Sequence, residues 1–294
     1  MATNRLAYFV MVHHKPYQFE WLMRAIYTPD DLFLVHVDLK SKLGIKKDRR
    51  GLIQEVRRIC ANRPNILIMP SRMTNWGGWS LSQALINAVC LAQHHPIRWS
   101  HFVNLSGQCY PLKPIEEIKA NIAATNDHLY VELRPIATLP SDDWHRRWSP
   151  MFETPLRAFR LPGRRQPPSN LAVEYKGSQW VILPRAFCNW IVTAPLTRVV
   201  STYLRRLLLS DELLIQTLAT NSPWVNRIAH FYGRAIYWPG PRLLTVEDLP
   251  GLLQSGAWFA RKFDAQIDIE ILRDLALEGG FEPGPIPNMS YRPR

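Results

Sequence analysis

The sequence predicts an α/β fold in which a mostly parallel central sheet is flanked by helices. Short runs of β-branched and aromatic residues alternate with segments of helical period through the first third of the chain, and this βαβ order is typical of parallel sheets. The 294 residues suffice for one large domain or two small ones. With 47% hydrophobic and 20% charged residues, the composition excludes disordered and fibrous proteins.

Four apolar runs predict the first strands, at 6–12, 32–37, 66–69 and 101–105. Apolar residues three or four positions apart predict the helices between them, at 17–26, 52–60 and 80–94. The last helix carries one apolar stripe, formed by Leu81, Ala84, Leu85, Ala88, Val89 and Ala92. Ligands of such sheets bind beyond the carboxyl ends of the strands, so the first places to search are His13, Asp38, 71–76 and 106–107.

The second half begins with a predicted strand at 128–132, followed by 133–170, which is rich in Pro, Arg and Trp and has no clear period. Long stretches of this kind are often lids or binding loops, so we predict a functional insertion; a plain surface excursion is the alternative. Strands at 179–183 and 235–238 and helices at 184–192, 196–208, 211–220, 246–253 and 267–277 complete the pattern. No linker or repeat divides the chain, and we predict a single domain.

The net charge of +12 predicts an anionic partner. The 11 Trp residues supply aromatic surface beside it. Nucleic acid, a membrane surface or a phosphorylated small molecule would each fit. No apolar run approaches the roughly 18 residues of a membrane span. The four cysteines form no CxxC pair, which favours reduced thiols over disulfides or zinc, at Cys60, Cys90, Cys109 and Cys188. We expect a cytoplasmic protein, with peripheral membrane association through the basic surface as a further expectation.

Familiar nucleotide-binding motifs are absent from the sequence. Neither GxGxxG nor GxxxxGK[ST] occurs, which disfavours dinucleotide oxidoreductases and P-loop enzymes. No Asp-x-Asp ends a predicted strand, so a bound diphosphate would need protein cations in place of a divalent ion. Arg242 and the adjacent pair Arg261 and Lys262 supply such cations in a locally apolar frame. A solvated basic face is the alternative interpretation.

One carboxylate stands at the predicted start of a helix. Ser210 is placed to be the N-cap, and Glu212 falls in the first turn, where the helix dipole favours an ionised carboxylate. An ionised Glu can act as a general base. Capping without catalysis is the alternative here.

Nine segments in order resemble the core-2/I-branching β-1,6-N-acetylglucosaminyltransferases and the related peptide O-xylosyltransferases, which form glycosyltransferase family 14. The segments are Val12-His13-His14, Ala25-Ile26-Tyr27, His36-Val37-Asp38, Arg72-Met73-Thr74-Asn75-Trp76-Gly77-Gly78, Asn104-Leu105-Ser106 with Tyr110-Pro111, Gly177-Ser178-Gln179-Trp180, Asp211-Glu212, Asn221-Ser222-Pro223 and Ala260-Arg261-Lys262-Phe263. They span nearly the whole chain, which resembles a bacterial-type soluble member of the family.

The resemblance implies a GT-A-like fold and an inverting transfer of N-acetylglucosamine or xylose from a UDP-sugar to a glycan or glycoconjugate hydroxyl. It implies no metal or other cofactor, because basic side chains take the place of the metal in this family, and no nucleic-acid partner. It also divides the single domain, 1–294, into a nucleotide-binding half at 1–132, a variable insertion at 133–170 and an acceptor and catalytic half at 171–294.

The resemblance also implies individual roles. Glu212 is the expected catalytic base, and no metal ligand is assigned. Residues expected at the nucleotide and donor sugar are Val12, His13, Asp38, Thr74, Asn75, Trp76, Gln179, Trp180, Arg242, Arg261 and Lys262. Residues expected at the acceptor are Glu132, Trp144 and Trp238. A basic nucleic-acid-binding protein and an inactive, lectin-like relative of the fold are the alternative functions.

Overall fold

The computed structural model describes residues 5–42, 51–125, 127–145, 148–238 and 240–286. The strands are β1 (Leu6–Val12), β2 (Leu32–Val37), β3 (Ile66–Ile68), β4 (His101–Ser106), β5 (Cys109–Pro111), β6 (Arg134–Pro135), β7 (Met151–Glu153), β8 (Ala158–Arg160), β9 (Tyr175–Lys176), β10 (Ile182–Pro184), β11 (Arg234–Ile236) and β12 (Phe259–Arg261). The helices are α1 (Pro16–Ile26), α2 (Leu39–Lys42), α3 (Leu52–Cys60), α4 (Trp79–His94), α5 (Ile115–Ala123), α6 (Arg185–Thr193), α7 (Pro195–Leu204), α8 (Leu214–Thr220), α9 (Leu249–Gln254) and α10 (Glu270–Gly279). Short 3-10 helices lie at Ile136–Thr138, Ser210–Glu212, Val225–Arg227 and Val246–Asp248.

The central sheet has the strand order β10-β4-β1-β2-β3 in the described part of the chain. β1 pairs in parallel with both β2 and β4, β3 pairs in parallel with β2, and only β10 is antiparallel. The predicted α/β fold with a mostly parallel sheet flanked by helices is therefore confirmed. The register pairs Val12 with Val37 and Met11 with Ser106, so the carboxyl ends of these three strands meet at one edge.

Strand β1 divides the hydrophobic core into two clusters. All seven of its residues are buried, and alternate side chains face opposite sides of the sheet. Tyr8 and Val10 belong to the cluster that includes α1 and α3. Ala7 and Phe9 belong to the cluster that includes α4 and α6. Burial of each large apolar side chain contributes about 1.5–3 kcal/mol, so the two-sided core holds β1 in place.

The flanking helices follow their predicted faces. In α4 the residues Ala84, Leu85, Ala88, Val89 and Ala92 are buried, while Leu81 is half-buried. Helix α1 begins with Pro16 in its first turn, where a missing N–H costs no hydrogen bond. All four cysteines are free thiols, as predicted. Within the described ranges, no helix is both long and apolar enough to cross a membrane.

Several predicted elements are wrong in detail. The predicted strand at 128–132 makes only isolated bridges, from Leu129 to Ile228 and from Tyr130 to Ile182. The helix predicted at 211–220 is a 3-10 turn followed by α8. The helix predicted at 196–208 ends at Leu204. These three segments are apolar because much of each is buried. An apolar run of this length does not distinguish a regular strand or helix from a buried irregular segment.

A second, smaller sheet was missed from the sequence. β5 lies antiparallel to β12, and β12 lies parallel to β11. β11 overlaps the strand predicted at 235–238, whereas β5 and β12 were not predicted; each has three residues, which is too short to show a period-2 pattern. β12 carries Arg261 at its end, so this sheet positions the predicted cation pair. The predicted insertion contains a short hairpin in which Phe152 faces Phe159 across β7 and β8.

Replacing Phe102 with Ala tests the two-sided core. Phe102 in β4 is fully buried and stacks on Phe9 with ring centroids 6.2 Å apart. We expect Phe102→Ala to lower the free energy of unfolding by about 3–5 kcal/mol, as for other large-to-small core substitutions. Phe152→Ala is the matched control, because Phe152 is 59% exposed, and its effect should stay within about 0.5 kcal/mol. Equal losses in urea denaturation of the two variants would contradict this packing.

Candidate functional site

One cluster of polar groups gathers at the carboxyl ends of β1 and β2. The backbone N–H of Asp38 donates to the carbonyl oxygen of Val12 at 3.0 Å. The buried Asp38 carboxylate accepts from the Thr74 hydroxyl at 3.1 Å and from the Lys40 backbone N–H at 2.8 Å. Three segments that are distant in sequence therefore meet at the edge predicted to bind the nucleotide.

Lys40 joins these segments, and sequence reasoning missed it. Its ammonium donates to the Thr74 carbonyl oxygen at 2.6 Å and to Asn75 Oδ1 at 3.0 Å. It also lies 3.7 Å from Asp38 Oδ2. The only signal in the sequence is its place two residues after Asp38, at the start of the short helix α2.

The hairpin of the insertion is bonded to the same cluster. The Asn75 side-chain amide donates to Glu153 Oε1 and to the Thr154 carbonyl oxygen, both at 2.9 Å. Ser80 donates to Glu153 through its backbone N–H at 3.1 Å and through its hydroxyl at 2.5 Å. The insertion is thus tied to the nucleotide-side cluster by a charge-assisted network.

Trp76 and Trp144 form an exposed aromatic pair. Their ring centroids lie 5.9 Å apart in an edge-to-face arrangement, which is a preferred geometry for aromatic rings. Trp76 is 71% exposed and Trp144 is 36% exposed. A predicted nucleotide residue and a predicted acceptor residue therefore contact each other directly.

Glu212 is the centre of a second cluster. Its Oε2 atom accepts from the Lys176 ammonium at 3.1 Å and lies 3.2 Å from His145 Nε2. The other side of the His145 ring faces Asp143, whose Oδ1 lies 3.1 Å from Nδ1 and also accepts the His145 backbone N–H at 2.8 Å. Glu212 Oε1 makes no hydrogen bond with any residue that the structure describes.

These neighbours set the charge of Glu212. Burial raises the pKa of its carboxyl, but the contact with His145 and the charges of His145 and Lys176 outweigh burial and lower the pKa below its ordinary value. The adjacent Asp211 shows the opposite effect. Burial and the negative charge of Glu212 raise its pKa to about 7. One acidic side chain in this pair is therefore held ionised while its neighbour is pushed toward the neutral form.

Backbone contacts fix the position of Glu212. The predicted N-cap, Ser210, is wrong: Leu209 precedes the 3-10 helix in the left-handed region at φ 57°, and the buried Ser210 hydroxyl bonds Ser82 at 3.0 Å. The Gly177 N–H donates to the Glu212 carbonyl oxygen at 2.9 Å. A Cβ on Gly177 would overlap the Glu132 carbonyl oxygen, so only glycine allows this close approach.

Arg261 and Lys262 form the third cluster. The Arg261 guanidinium lies 4.2 Å from the centroid of the buried Trp180 ring, a cation–π distance. Burial, Arg261 and Lys15 lower the pKa of Lys262. The Lys262 ammonium has no ion pair with a described residue, whereas Lys15 is paired with Asp264. Lys262 is therefore a cation available to an anionic ligand.

The three clusters are linked in a ring of direct contacts and chain neighbours. Val12 and Asp38 connect through Asn75 and Trp76 to Trp144, which precedes His145 and so leads to Glu212. The segment 177–180 then leads from Glu212 to Arg261. Asp264, two residues after Lys262, pairs with Lys15, three residues after Val12, and this contact closes the ring. Members of this ring that the sequence predicted are Val12, His13, Asp38, Thr74, Asn75, Trp76, Trp144, Gln179, Trp180, Glu212, Arg261 and Lys262.

Some of these members join through neighbours or the backbone. The Gln179 carbonyl oxygen accepts from the Asn104 side-chain amide at 2.8 Å. His13 follows Val12 and stacks on His14 with centroids 4.0 Å apart. Both residues therefore adjoin the linked clusters along the chain.

Three predicted residues lie at the edge of the ring. Arg242 is exposed and forms a bidentate pair with Asp248, and two residues further on the Leu244 N–H donates to the Lys262 carbonyl oxygen at 2.9 Å. Trp238 is 57% exposed and follows β11, whose Ile236 pairs with Arg261. Glu132 pairs with Arg134 and lines a cavity of about 620 Å³ beside the segment that holds Glu212. Glu132 therefore lies near the segment of the base, whereas Arg242 and Trp238 adjoin the segment of Arg261 and Lys262.

The residues that sequence reasoning missed are Lys40, Glu153, Asp143, His145, Lys176 and Asp211. Lys176 directly precedes a motif that was recognised, Gly177-Ser178-Gln179-Trp180, and Asp211 directly precedes Glu212. Asp143 and His145 lie in the insertion without period, so no pattern marked them. In the described residues, no group of three or more His, Cys, Asp or Glu side chains is arranged to hold a metal ion.

Comparison with known proteins identifies the family. A family model described as Core-2/I-Branching enzyme matches residues 6–251. Beta-1,3-galactosyl-O-glycosyl-glycoprotein beta-1,6-N-acetylglucosaminyltransferase 3 from Bos taurus is 24% identical over 304 residues, covering 92% of this chain and 66% of that protein. Xylosyltransferase 2 from Rattus norvegicus is 27% identical over 318 residues, covering 95% of this chain and 34% of that protein.

The chain therefore spans just under two thirds of the bovine relative and about a third of the rat relative. Among solved structures, the apo form of mouse xyloside xylosyltransferase 1 aligns with a TM-score of 0.38 and 11% identity, over 79% of this chain and 89% of that chain. The family model covers most of the sequence and includes eight of the nine segments noted from the sequence; Ala260-Arg261-Lys262-Phe263 lies beyond the matched residues. The protein belongs to the core-2/I-branching enzyme family.

Proposed function

We propose that this protein transfers N-acetylglucosamine or xylose from a UDP-sugar to an acceptor hydroxyl, with inversion at the anomeric carbon to give a β-linkage. The observation that carries this proposal is the arrangement of Glu212. Lys176 and His145 occupy one of its carboxylate oxygens, and Oε1 has no described partner. A carboxylate with one oxygen available to a substrate, in the same ring of contacts as the available cation Lys262, supports a general base at Glu212 and a diphosphate site at Lys262.

The proposed reaction is a single in-line displacement. Glu212 Oε1 accepts the proton of the acceptor hydroxyl while the oxygen attacks the anomeric carbon. The bond from that carbon to the β-phosphate oxygen breaks, and UDP leaves with the electron pair. General-base catalysis of this kind typically contributes about 10²–10⁴ in rate.

Cations near the β-phosphate stabilise the departing UDP in this mechanism. Lys262 supplies one positive charge directly, and Arg261 supplies a second from its place against Trp180. Preorganised donors aimed at developing charge contribute about 3–4 kcal/mol each in comparable sites. In this proposal the two side chains replace a divalent ion, and transfer requires no metal.

The relatives support the proposed donor class, and the surroundings of the base support the proposed acceptor class. Relatives of both kinds match the chain, an N-acetylglucosaminyltransferase and a xylosyltransferase by name, so we propose one of these two sugars as the donor. The exposed rings of Trp76 and Trp144 offer apolar faces of the kind that stack on sugars. The cavity beside Glu132 contains two carboxylates and two tyrosines, with Glu174, Tyr175 and Tyr232 completing this polar set. We propose that a glycan acceptor enters between these surfaces.

The first test replaces the base. Glu212→Gln keeps the shape of the side chain but removes its ability to accept a proton at neutral pH. We expect transfer from the UDP-sugar to fall by at least about 10²-fold, while the Kd for UDP measured by calorimetry changes less than about threefold. Glu278→Gln, an exposed change on α10, is the control and should retain full transfer. Turnover of Glu212→Gln within a few-fold of wild type would show that Glu212 is not the base.

The second test removes the available cation. We expect Lys262→Ala to weaken UDP binding by about 10–100-fold, because a charge-assisted hydrogen bond contributes about 1.5–3 kcal/mol. Binding by the wild-type protein should be unchanged by EDTA. Lys113→Ala is the matched control, since Lys113 pairs with Glu117 away from the ring. UDP affinity that survives in Lys262→Ala, or that EDTA abolishes in the wild type, would contradict the proposed metal-free diphosphate site.

A further inference from the structure

The insertion places a buried histidine between two carboxylates. His145 is 2% exposed. Its Nδ1 atom lies 3.1 Å from Asp143 Oδ1, and its Nε2 atom lies 3.2 Å from Glu212 Oε2. Buried polar groups normally have partners; here Nδ1 is hydrogen-bonded to Asp143, and Nε2 lies at ion-pair distance from Glu212 without hydrogen-bond geometry. This arrangement needs an explanation beyond packing, because an aliphatic side chain would fill the space without it.

We infer that the Asp143–His145 pair positions Glu212 for catalysis by holding its Oε2 atom, so that Oε1 faces the acceptor hydroxyl. This inference rests on the proposed function and names residues that the family resemblance did not assign. His145 acts through Glu212 and is a positioning residue. Asp143 orients the imidazole in turn, through its carboxylate and through the backbone N–H bond at 2.8 Å.

The charges around Glu212 support this role. The groups that face it are the Lys176 ammonium from β9, the His145 ring from the insertion with Asp143 behind it, and Asp211 from its own 3-10 helix. The His145 ring stands within ion-pair distance of both carboxylates, and the Lys176 ammonium also contacts Glu212. These contacts lower the pKa of the Glu212 carboxyl and favour its ionised form.

The proton balance of the reaction leaves His145 unchanged. The acceptor O–H bond breaks as the oxygen-to-carbon bond forms, the proton moves to Glu212 Oε1, and UDP departs with the electron pair. The proton on Glu212 then passes to solvent after the product leaves. His145 keeps its own protons throughout and fixes which oxygen of Glu212 reacts.

The position of this pair also couples the base to the exposed surface of the insertion. Trp144 lies between Asp143 and His145 in sequence and contacts Trp76. Any displacement of this loop would therefore move the aromatic pair and the partner of the base together. In this arrangement, Glu212 keeps its contact with His145 only while the 133–170 insertion stays in contact with the linked clusters.

The inference is tested by measuring the pH profile of kcat/KM for the wild type and for the variants His145→Gln and Asp143→Asn. Removing the imidazole from beside Glu212 should raise the pKa of Glu212, because His145 is one of the groups that lower it. The base works only when ionised, so the acid limb of the profile should move to higher pH. We expect kcat to fall about tenfold or more, with the Kd for UDP unchanged within about threefold. His145→Ala should lose more activity than His145→Gln, which keeps an amide donor, and Asp143→Asn should shift the limb less.

His94→Gln is the matched control, because the exposed His94 ring bonds only the Cys90 carbonyl oxygen of its own helix; its profile should match the wild type. Loss of activity in His145→Gln without any shift of the acid limb would reduce His145 to a structural role and overturn the inference.

A second readout separates this inference from the proposed function. Carbon-13 NMR of labelled Glu side chains reports the titration of Glu212 in the protein without substrates, with Glu212→Gln assigning the signal. The signal should titrate at higher pH in His145→Gln than in the wild type. A shift in a protein that transfers no sugar would refute the proposed function but keep the coupling between the two side chains. An unchanged titration would refute the coupling whatever the activity.

Discussion

Strand β1 is buried on both faces and paired in parallel along both edges, and the site depends on that constraint. Its seven buried residues separate two hydrophobic clusters, so the strand cannot slide or rotate without exposing one of them. Parallel pairing with β2 and β4 brings three carboxyl ends to the same edge. Asp38 then lies against Val12 through a backbone hydrogen bond of 3.0 Å. The sheet thus fixes one side of the ring, while the other side is built from irregular segments.

Those irregular segments are held in place by hydrogen bonds to charged side chains and by a close backbone approach at a glycine, rather than by a ladder of backbone hydrogen bonds. Glu153 connects the insertion to Asn75, and the Gly177 backbone connects the β9 region to Glu212. Positive groups are spread around the ring, at Lys40, Lys176, Arg261 and Lys262, and each except Lys262 already contacts an acidic, polar or aromatic partner. Among these four side chains, Lys262 is therefore the cation without a described partner, and Arg261 is its neighbour in the chain. Two adjacent cations of this kind suit a small anion such as a diphosphate better than an extended polyanion.

The sequence predicted the parts of this protein that repeat a period. Strands β1 and β2 and helix α3 begin and end at the predicted residues, because the two strands are continuous apolar runs buried on both faces and α3 repeats apolar residues at helical spacing. His13 and Asp38 followed from the strand ends and Val12 from the family resemblance. Glu212 and Lys262 were candidates from their charge and position, and the resemblance implied their roles. The partners of Glu212 could not be predicted, since Lys176 and His145 reach it from other segments and a single sequence does not encode which irregular loop meets which carboxylate. In the second sheet, β11 overlaps the strand predicted at 235–238, but the three-residue strands β5 and β12 were missed for lack of a period, although β12 carries Arg261.

The central claim is that one ring of contacts binds the diphosphate at Lys262 and presents Glu212 to the acceptor. A crystal structure of the protein with UDP and a glycan acceptor tests it most directly. The account predicts a β-phosphate oxygen within hydrogen-bonding distance of Lys262 Nζ, the uracil near Asp38, and an acceptor hydroxyl at Glu212 Oε1. A diphosphate bound at Arg242 and away from Lys262, or an acceptor hydroxyl that does not reach Glu212, would contradict it.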